Sequence, residues 1–178
     1  MDRAILPQDL TSGNVLIIEP EHGVIHEGAH YTVSYDTTVA GSGSVTSLLI
    51  TTPAASEDKY LHFVCSVNAD KKVIWTLSEA PEATAGSVLT SYNNNRAMTS
   101  STSPATVTAN PTITSVGTVL ETHIVGSAST NQSKVGGNAN ARNEWVLAAA
   151  TKYLLRVVTT EATTEVDMTI PYYYRPQG

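Results

Sequence analysis

Apolar residues are densest between Asn143 and Thr159, where they form two short runs. The first run is Trp145–Leu147, the second is Tyr153–Val158, and residues 148–151 separate them. If the second run is a strand, its side chains alternate between two faces: Tyr153, Leu155 and Val157 on one, and Leu154, Arg156 and Val158 on the other. The pattern therefore predicts two strands around a short connection, forming the spine of a sheet.

The same two-residue period recurs along most of the chain, beginning with the strand pattern of residues 30–35. It is clearest in residues 60–67 and 72–79. Their apolar faces consist of Leu61, Phe63, Cys65 and Val67, and of Val73, Trp75 and Leu77. The residues between them, Asn68–Lys71, are typical of a tight turn, so we predict that the two segments form a β-hairpin.

About nine or ten short strands with turn signals between them, and almost no helical periodicity, predict an all-β fold. We expect an antiparallel β-sandwich that is jelly-roll-like. Residues 1–20, which contain Pro7 and Pro20, are predicted to form an extended N-terminal arm. Residues 21–178 are predicted to form a single β-sandwich domain. Residues 126–140 are rich in glycine, serine and asparagine and predict a long loop.

Composition narrows the possible functions. The net charge is −6 and no block of lysine and arginine occurs, which argues against nucleic acid as the main partner. The chain has one cysteine and therefore no internal disulfide. No apolar run approaches the ~20 residues of a membrane span, and the first residues lack a signal-peptide pattern, so we expect no membrane partner and synthesis in the cytoplasm.

Three histidines, His22, His26 and His30, are spaced by four residues. On a helix they would share a face and suit a transition metal. Gly23 and Gly28 disfavour a helix, and the segment looks like a turn that leads into a strand, where neighbouring histidines would lie ~13 Å apart. The sequence thus predicts surface or interface histidines and no metal or cofactor site.

No catalytic chemistry stands out in the sequence. Cys65 lies between apolar neighbours without an adjacent histidine, which favours an inert buried thiol. Most carboxylates lie next to turns, where they are normally solvated, and no hydrolase or phosphate-loop motif occurs. We therefore expect a protein that is not an enzyme and has no catalytic residues.

The most unusual polar stretch is Tyr92–Arg96, which contains three successive asparagines. Asparagines fold back on their own backbone, and Arg96 could then be held as a fixed donor against a carboxylate; the alternative is a solvated loop tip. Arg142 also has two possible roles: it either pairs across a subunit contact or covers Trp145 with its aliphatic stem.

Several blocks of the chain together resemble a group of tailed-bacteriophage virion proteins, described as head decoration (capsid cement) or minor structural proteins. The similarity extends over roughly residues 20–170. The blocks are Ile25–Gly28, Tyr92–Arg96, Arg142–Leu147 and Thr151–Arg156. The resemblance implies a non-enzymatic protein, often a homotrimer, that binds the major capsid protein on the outer surface of an icosahedral head.

The expected function is therefore that of a capsid decoration protein that stabilises the head by bridging capsomers. Its candidate contact elements are the arm of residues 1–20, one polar loop and the C-terminal tyrosines, because tyrosine and arginine are enriched at interface hot spots. The candidate interface residues are Asn93, Asn94, Asn95, Arg96, Arg142, Tyr172, Tyr173 and Tyr174.

Two alternatives stay open. A receptor- or carbohydrate-binding protein of a tail fibre or tail tip would group aromatic side chains on one exposed face, and Trp75 and Tyr172–Tyr174 are the candidates. Trp75 alternates with Val73 and Leu77, however, which favours a place in the core. An enzyme such as a glycan hydrolase would require two close carboxylates in a cleft.

Overall fold

The computed structural model describes residues 20–54, 59–98, 102–126 and 144–176, and within these ranges it contains one helix and fourteen strands. The helix is α1 (Pro20–His26). The strands are β1 (His30–Val39), β2 (Val45–Thr51), β3 (Lys59–Phe63), β4 (Ser66–Ala69), β5 (Val73–Glu79), β6 (Glu82–Thr84), β7 (Ser87–Val88), β8 (Tyr92–Asn93), β9 (Thr106–Ala109), β10 (Thr112–Ser115), β11 (Thr118–Val125), β12 (Trp145–Leu147), β13 (Lys152–Thr159) and β14 (Thr164–Pro176).

These strands form two large antiparallel sheets and one small one. The first sheet has the order β12-β3-β14-β1-β8, and β4 continues the line of β3 by pairing with the other half of β14. The second sheet has the order β11-β5-β13-β2-β9-β7, and β6 and β10 form a separate two-stranded sheet. The all-β class and the antiparallel pairing are confirmed, and the architecture is consistent with a β-sandwich.

One apolar cluster lies between the two large sheets. In the second sheet Leu155 on β13 is the register partner of Leu48 on β2 and of Leu77 on β5, and all three side chains have 0% exposure. Phe63 and Ile170 of the first sheet belong to the same cluster, also at 0% exposure. Each sheet thus buries one face against the other, which is what residues alternating at a period of two can do.

The faces predicted from alternation are confirmed, but two predicted strand pairings are wrong. The apolar residues of 60–67 and 72–79 are buried as predicted, yet β4 pairs with β14 in the first sheet and β5 pairs with β11 and β13 in the second. Likewise β12 is an edge strand of the first sheet, whereas β13 lies centrally in the second. A short connection can turn a strand back within its sheet or carry it to the opposite one, and the alternation of burial is the same in both cases.

The segment predicted as a turn before β1 begins instead with helix α1. Gly28, at φ +71°, ends it: the N–H of Gly28 donates to Ile25 O at 3.0 Å and the N–H of Ala29 donates to Val24 O at 3.1 Å. This is the Schellman arrangement, which needs a residue in the left-handed region and so favours glycine. Burial of Val24, which is 1% exposed, offsets the low helix propensity of Gly23.

Three sequence predictions fall outside the described residues. They are the arm of residues 1–20, apart from Pro20 itself, most of the loop predicted over residues 126–140, and Arg142. Within the described ranges no helix is long and apolar enough to cross a membrane.

Candidate protein-binding surface

The outer face of the first sheet carries a row of side chains contributed by four strands. Val146 on β12 is the register partner of His62 on β3, His62 that of Tyr173 on β14, and Tyr173 that of His30 on β1. His30 itself is 3% exposed, so its predicted surface position is wrong. Register partners in antiparallel strands point to the same side of the sheet. The row continues beyond β1, because the N–H of Asn94 donates to His30 O at 2.9 Å.

Tyr173 is fixed within this row by aromatic stacking and by one carboxylate. Its ring stacks on His62, with centroids 4.6 Å apart and planes 9° apart, and on His30 at 5.9 Å and 14°. The Oε1 atom of Glu144 lies 2.7 Å from Nδ1 of His62 and also accepts a hydrogen bond from the Tyr173 hydroxyl. A side chain held from three directions loses little rotamer freedom when a partner binds.

The asparagine loop is attached to the end of helix α1 through its own side chains. Asn93 is buried, its Nδ2 donates to Gly28 O at 2.6 Å, and its Oδ1 accepts from the N–H of Asn95 at 2.7 Å. Nδ2 of Asn95 donates to His26 O at 3.1 Å, and Oδ1 of Asn94 accepts from the Thr32 hydroxyl at 2.9 Å. Asn93 and Asn95 therefore hold the loop, and the side chains beside them form its surface.

The exposed residues of this loop are Tyr92, Asn94, Arg96, Ala97 and Met98. The side chain of Tyr92 is 59% exposed and lies on the outer face, because Tyr92 is the register partner of Thr32. The Arg96 guanidinium lies 5.8 Å from the centre of the Tyr92 ring, a cation–π distance. Arg96 is exposed and lies against an aromatic ring, and among the described residues no carboxylate pairs with it. Of the two interpretations left open by the sequence, the structure is closer to the exposed loop tip.

We use the term outer patch for the side chains that the row around Tyr173 and the asparagine loop together place on this face. They are His62, Tyr92, Asn94, Arg96, Glu144, Val146 and Tyr173. Val146 and Tyr92 are the most exposed of the large apolar members, at 56% and 59%. The patch combines aromatic, amide and guanidinium groups on strands of one sheet, the mixture that is typical of protein interfaces.

The predicted interface residues are distributed between this patch and the interior. Asn94, Arg96 and Tyr173 lie in the outer patch, whereas Asn93 and Asn95 support it. Tyr172 and Tyr174 lie in the core at 1% and 8% exposure, where burial raises the pKa of both hydroxyl groups. Both side chains therefore pack in the core and not on the outer face with Tyr173.

Sequence reasoning missed His62 and Val146 as members of a site. Alternation already placed His62 opposite the apolar face of its strand. The missing information was register, because nothing local shows that His62 lies beside Tyr173, more than a hundred positions away. Once Tyr172 and Tyr174 are assigned to the inner face, alternation along the strand places Tyr173 on the outer face. This period-two signal is present in the sequence.

Cys65 has the properties of a structural thiol. It is 5% exposed, and burial, with a smaller contribution from the charge of Glu121, raises its pKa to about 12. Because the thiolate is the nucleophilic form, the environment of Cys65 opposes catalysis.

We expect the Cys65 thiol to react with iodoacetamide at pH 8 about a thousandfold more slowly in the native protein than in the unfolded chain. The raised pKa, from 9.0 to about 12, leaves that much less thiolate. Mass spectrometry of alkylated protein with and without denaturant would measure the ratio. Equal rates in the two states would contradict the buried environment of Cys65.

An open groove elsewhere on the first sheet is lined by acidic residues and has a volume of about 660 Å³. Asp36 and Asp167 are register partners on β1 and β14, and Asp70 and Glu165 lie beside them. The carboxylate of Asp167 accepts hydrogen bonds from Asn68 at 3.2 Å and from Thr169 at 3.4 Å, and Asp70 accepts one from the Glu165 N–H at 2.8 Å. Two of these contacts connect β14 with the end of β4, because Asn68 lies on β4 and Asp70 directly follows it.

Comparisons with known proteins identify no relative of this chain. No protein-family model, curated protein or solved structure matches it. The fold and the outer patch therefore define its class as an all-β protein with antiparallel sheets and a candidate protein-binding face.

Proposed function

We propose that this protein is a bacteriophage capsid decoration protein, a homotrimer that binds the major capsid protein on the outer surface of the head and bridges capsomers. It acts in the virion after synthesis in the host cytoplasm. The observation that carries the proposal is the outer patch, in which Tyr173 and Arg96 are oriented by their own chain before any partner binds. The resemblance of residues 25–28, 92–96, 142–147 and 151–156 to phage virion proteins supports the same function.

We further propose that the sandwich is a jelly roll. Its support is a nested set of strand pairs: β1 with β14, β2 with β13, β3 with β12, and β5 with β11. Wrapping one long antiparallel hairpin into two sheets produces such nesting, and the jelly roll is the two-sheet fold built in that way. Viral capsid domains and lectins are among the proteins that use it.

The patch suits a partner that is already assembled and rigid. Preorganised tyrosine and arginine side chains bind without a large loss of conformational entropy, and such residues dominate interface energies. A sheet face is also matched better by an extended protein surface than by a small ligand, which prefers a concave pocket.

Stabilisation of the head would follow from mass action. A protein that binds the assembled shell, and not dissociated subunits, adds about 2.7 kcal/mol per site when its free concentration is a hundred times the dissociation constant. A trimer gains further, because after the first contact the second and third are effectively intramolecular.

The direct test is to add purified protein to undecorated, expanded heads and to heat them. We expect saturable binding and a higher melting temperature of the shell, because binding favours the assembled state. Quantitative electrophoresis of sedimented heads and differential scanning calorimetry would measure the two effects. Absence of binding together with an unmoved shell transition would refute the cement function.

The alternative, a carbohydrate-binding protein of the tail tip, has weaker support. Of the four aromatic residues that could supply a sugar-binding face, Trp75, Tyr172 and Tyr174 are buried in the core and only Tyr173 lies in the outer patch. Immunogold labelling of intact particles separates the two functions. Label over the head favours the decoration protein, and label at the tail tip favours the alternative.

A further inference from the structure

Helix α1 brings two histidine side chains together on its exposed side. His22 and His26 are four residues apart, one helical turn, and their Nε2 atoms are 3.0 Å apart. Both side chains are exposed. The sequence argument against a metal site assumed that the histidines lie on a strand, where neighbours would be too far apart. Only His30 lies on a strand, β1, so the argument does not apply to His22 and His26.

The distance between the two nitrogen atoms matches a metal chelate with a right-angled bite. Imidazole nitrogens bind Zn²⁺ and similar ions at ~2.0–2.1 Å, so two cis ligands at a right angle are about 2.9 Å apart and two tetrahedral ligands about 3.4 Å. The observed 3.0 Å is closer to the right angle. Tetragonal geometry with nitrogen and oxygen ligands is characteristic of Cu²⁺ and Ni²⁺.

The orientation of the rings also favours convergence on a shared ion. The ring centroids are 4.7 Å apart, and the planes are inclined by 69°. A head-on hydrogen bond of the same N···N length would place the centroids ~5.3 Å apart. The rings are therefore tilted. The contact is itself a hydrogen bond, in which one Nε2 carries the proton. An ion would replace that bond once the donor ring moves its proton to Nδ1, and both Nε2 lone pairs could then meet at a point beside the line that joins the nitrogen atoms.

We propose that His22 and His26 form a binding site for a divalent late transition-metal cation, with Cu²⁺ as the preferred ion. Among the described residues no group of three or more histidine, cysteine, aspartate or glutamate side chains converges on one point. The two imidazoles therefore act as a bidentate chelate, and water fills the other coordination positions.

Binding would stabilise helix α1 and the loop attached to it. A seven-residue helix that contains Gly23 is weak on its own, and a chelate across one turn links its first and last turns. Asn95 donates to His26 O and Asn93 to Gly28 O, so the same helix end supports the asparagine loop of the outer patch. The cation site is thus connected to the patch, although it does not depend on the proposed function.

Titration of the purified full chain with Cu²⁺ in a non-coordinating buffer, followed by calorimetry and electron paramagnetic resonance, tests the proposal. We expect one strongest site with two nitrogen ligands. His22→Gln and His26→Gln should each weaken it by about 10- to 100-fold, because the chelate becomes a single ligand. The thermal unfolding of the native protein should shift upward with Cu²⁺, and that of the double variant should not.

His123→Gln is the control, because His123 is a partly exposed histidine that contacts a carboxylate, Glu121 at 3.3 Å, in place of a second histidine. It should leave the strongest Cu²⁺ site unchanged. Circular dichroism of each variant verifies that the fold is retained. Unchanged affinity in the His22→Gln/His26→Gln variant, or an equal loss in His123→Gln, would overturn the proposal.

Discussion

Replacing Leu155 by alanine should lower the free energy of unfolding by about 3–5 kcal/mol, toward the upper end of the values for buried leucines. Leu155 has 0% exposure at the centre of the second sheet, between its register partners Leu48 and Leu77. Strands β2 and β5 pair with β13 on both sides and hold the backbone in place, so the cavity cannot collapse. Urea denaturation monitored by fluorescence would measure the loss, and the melting temperature should fall by roughly 6–20 °C.

Leu154 and Ile124 provide two controls for this experiment. Leu154 is also fully buried, but on the other face of β13, where it contacts Leu49, Ala83 and Ile113 under the small β6–β10 sheet. The short two-stranded β6–β10 sheet can move toward the cavity and partly fill it. Leu154→Ala should therefore lower the free energy of unfolding by less, about 2–3 kcal/mol. Ile124 is 64% exposed, and its alanine variant should stay within about 0.5 kcal/mol of the parent. If Leu155→Ala lowers the free energy of unfolding as little as Ile124→Ala does, Leu155 and its register partners do not form the core.

The position of Leu155 illustrates what the sequence could predict. Strict alternation in residues 152–159 separates Leu155 from Leu154, and the structure buries them in different clusters. The burial of Leu61, Phe63, Cys65 and Trp75 follows from the same local signal. Period-two patterning reports which side of a strand faces the core, because that depends only on the geometry of the strand itself.

Sheet membership and register could not be predicted in this way. β4 and β5 have the pattern of a hairpin, yet they lie in different sheets, because a turn between sheets preserves the same alternation. Helix α1 was missed because Gly23 and Gly28 were both taken to disfavour a helix, whereas Gly28 lies at its C-terminal end, where glycine is favoured. In the outer patch, the contact of Glu144 with Tyr173 joins residues 29 positions apart, which only the assembled sheet brings together.

The double replacement Tyr92→Ala/Arg96→Ala should weaken binding to undecorated heads by at least about a hundredfold if the outer patch is the capsid contact. Aromatic and arginine hot spots lose about 2 kcal/mol or more each on truncation, and a trimer that uses three copies multiplies the effect. Tyr92 is 59% exposed and Arg96 contacts it through its ring face, so neither contributes to the core. The unfolding free energy should therefore change by less than about 1 kcal/mol, and a sedimentation assay with heads would report binding alone.

Tyr173→Phe examines how much of the affinity comes from orientation of the ring. This variant keeps the stacking surface on His62 and removes the hydroxyl that donates to Glu144, so we expect a loss of about 3- to 10-fold, smaller than that of the double variant. The matched control is Val88→Ala/Ile124→Ala, since these residues are 72% and 64% exposed on the second sheet, away from the patch. Heads that bind the Tyr92→Ala/Arg96→Ala protein normally but fail to bind this control would place the contact on the second sheet. The capsid contact would then lie on strands β7 and β11, which carry the two exposed residues replaced in this control.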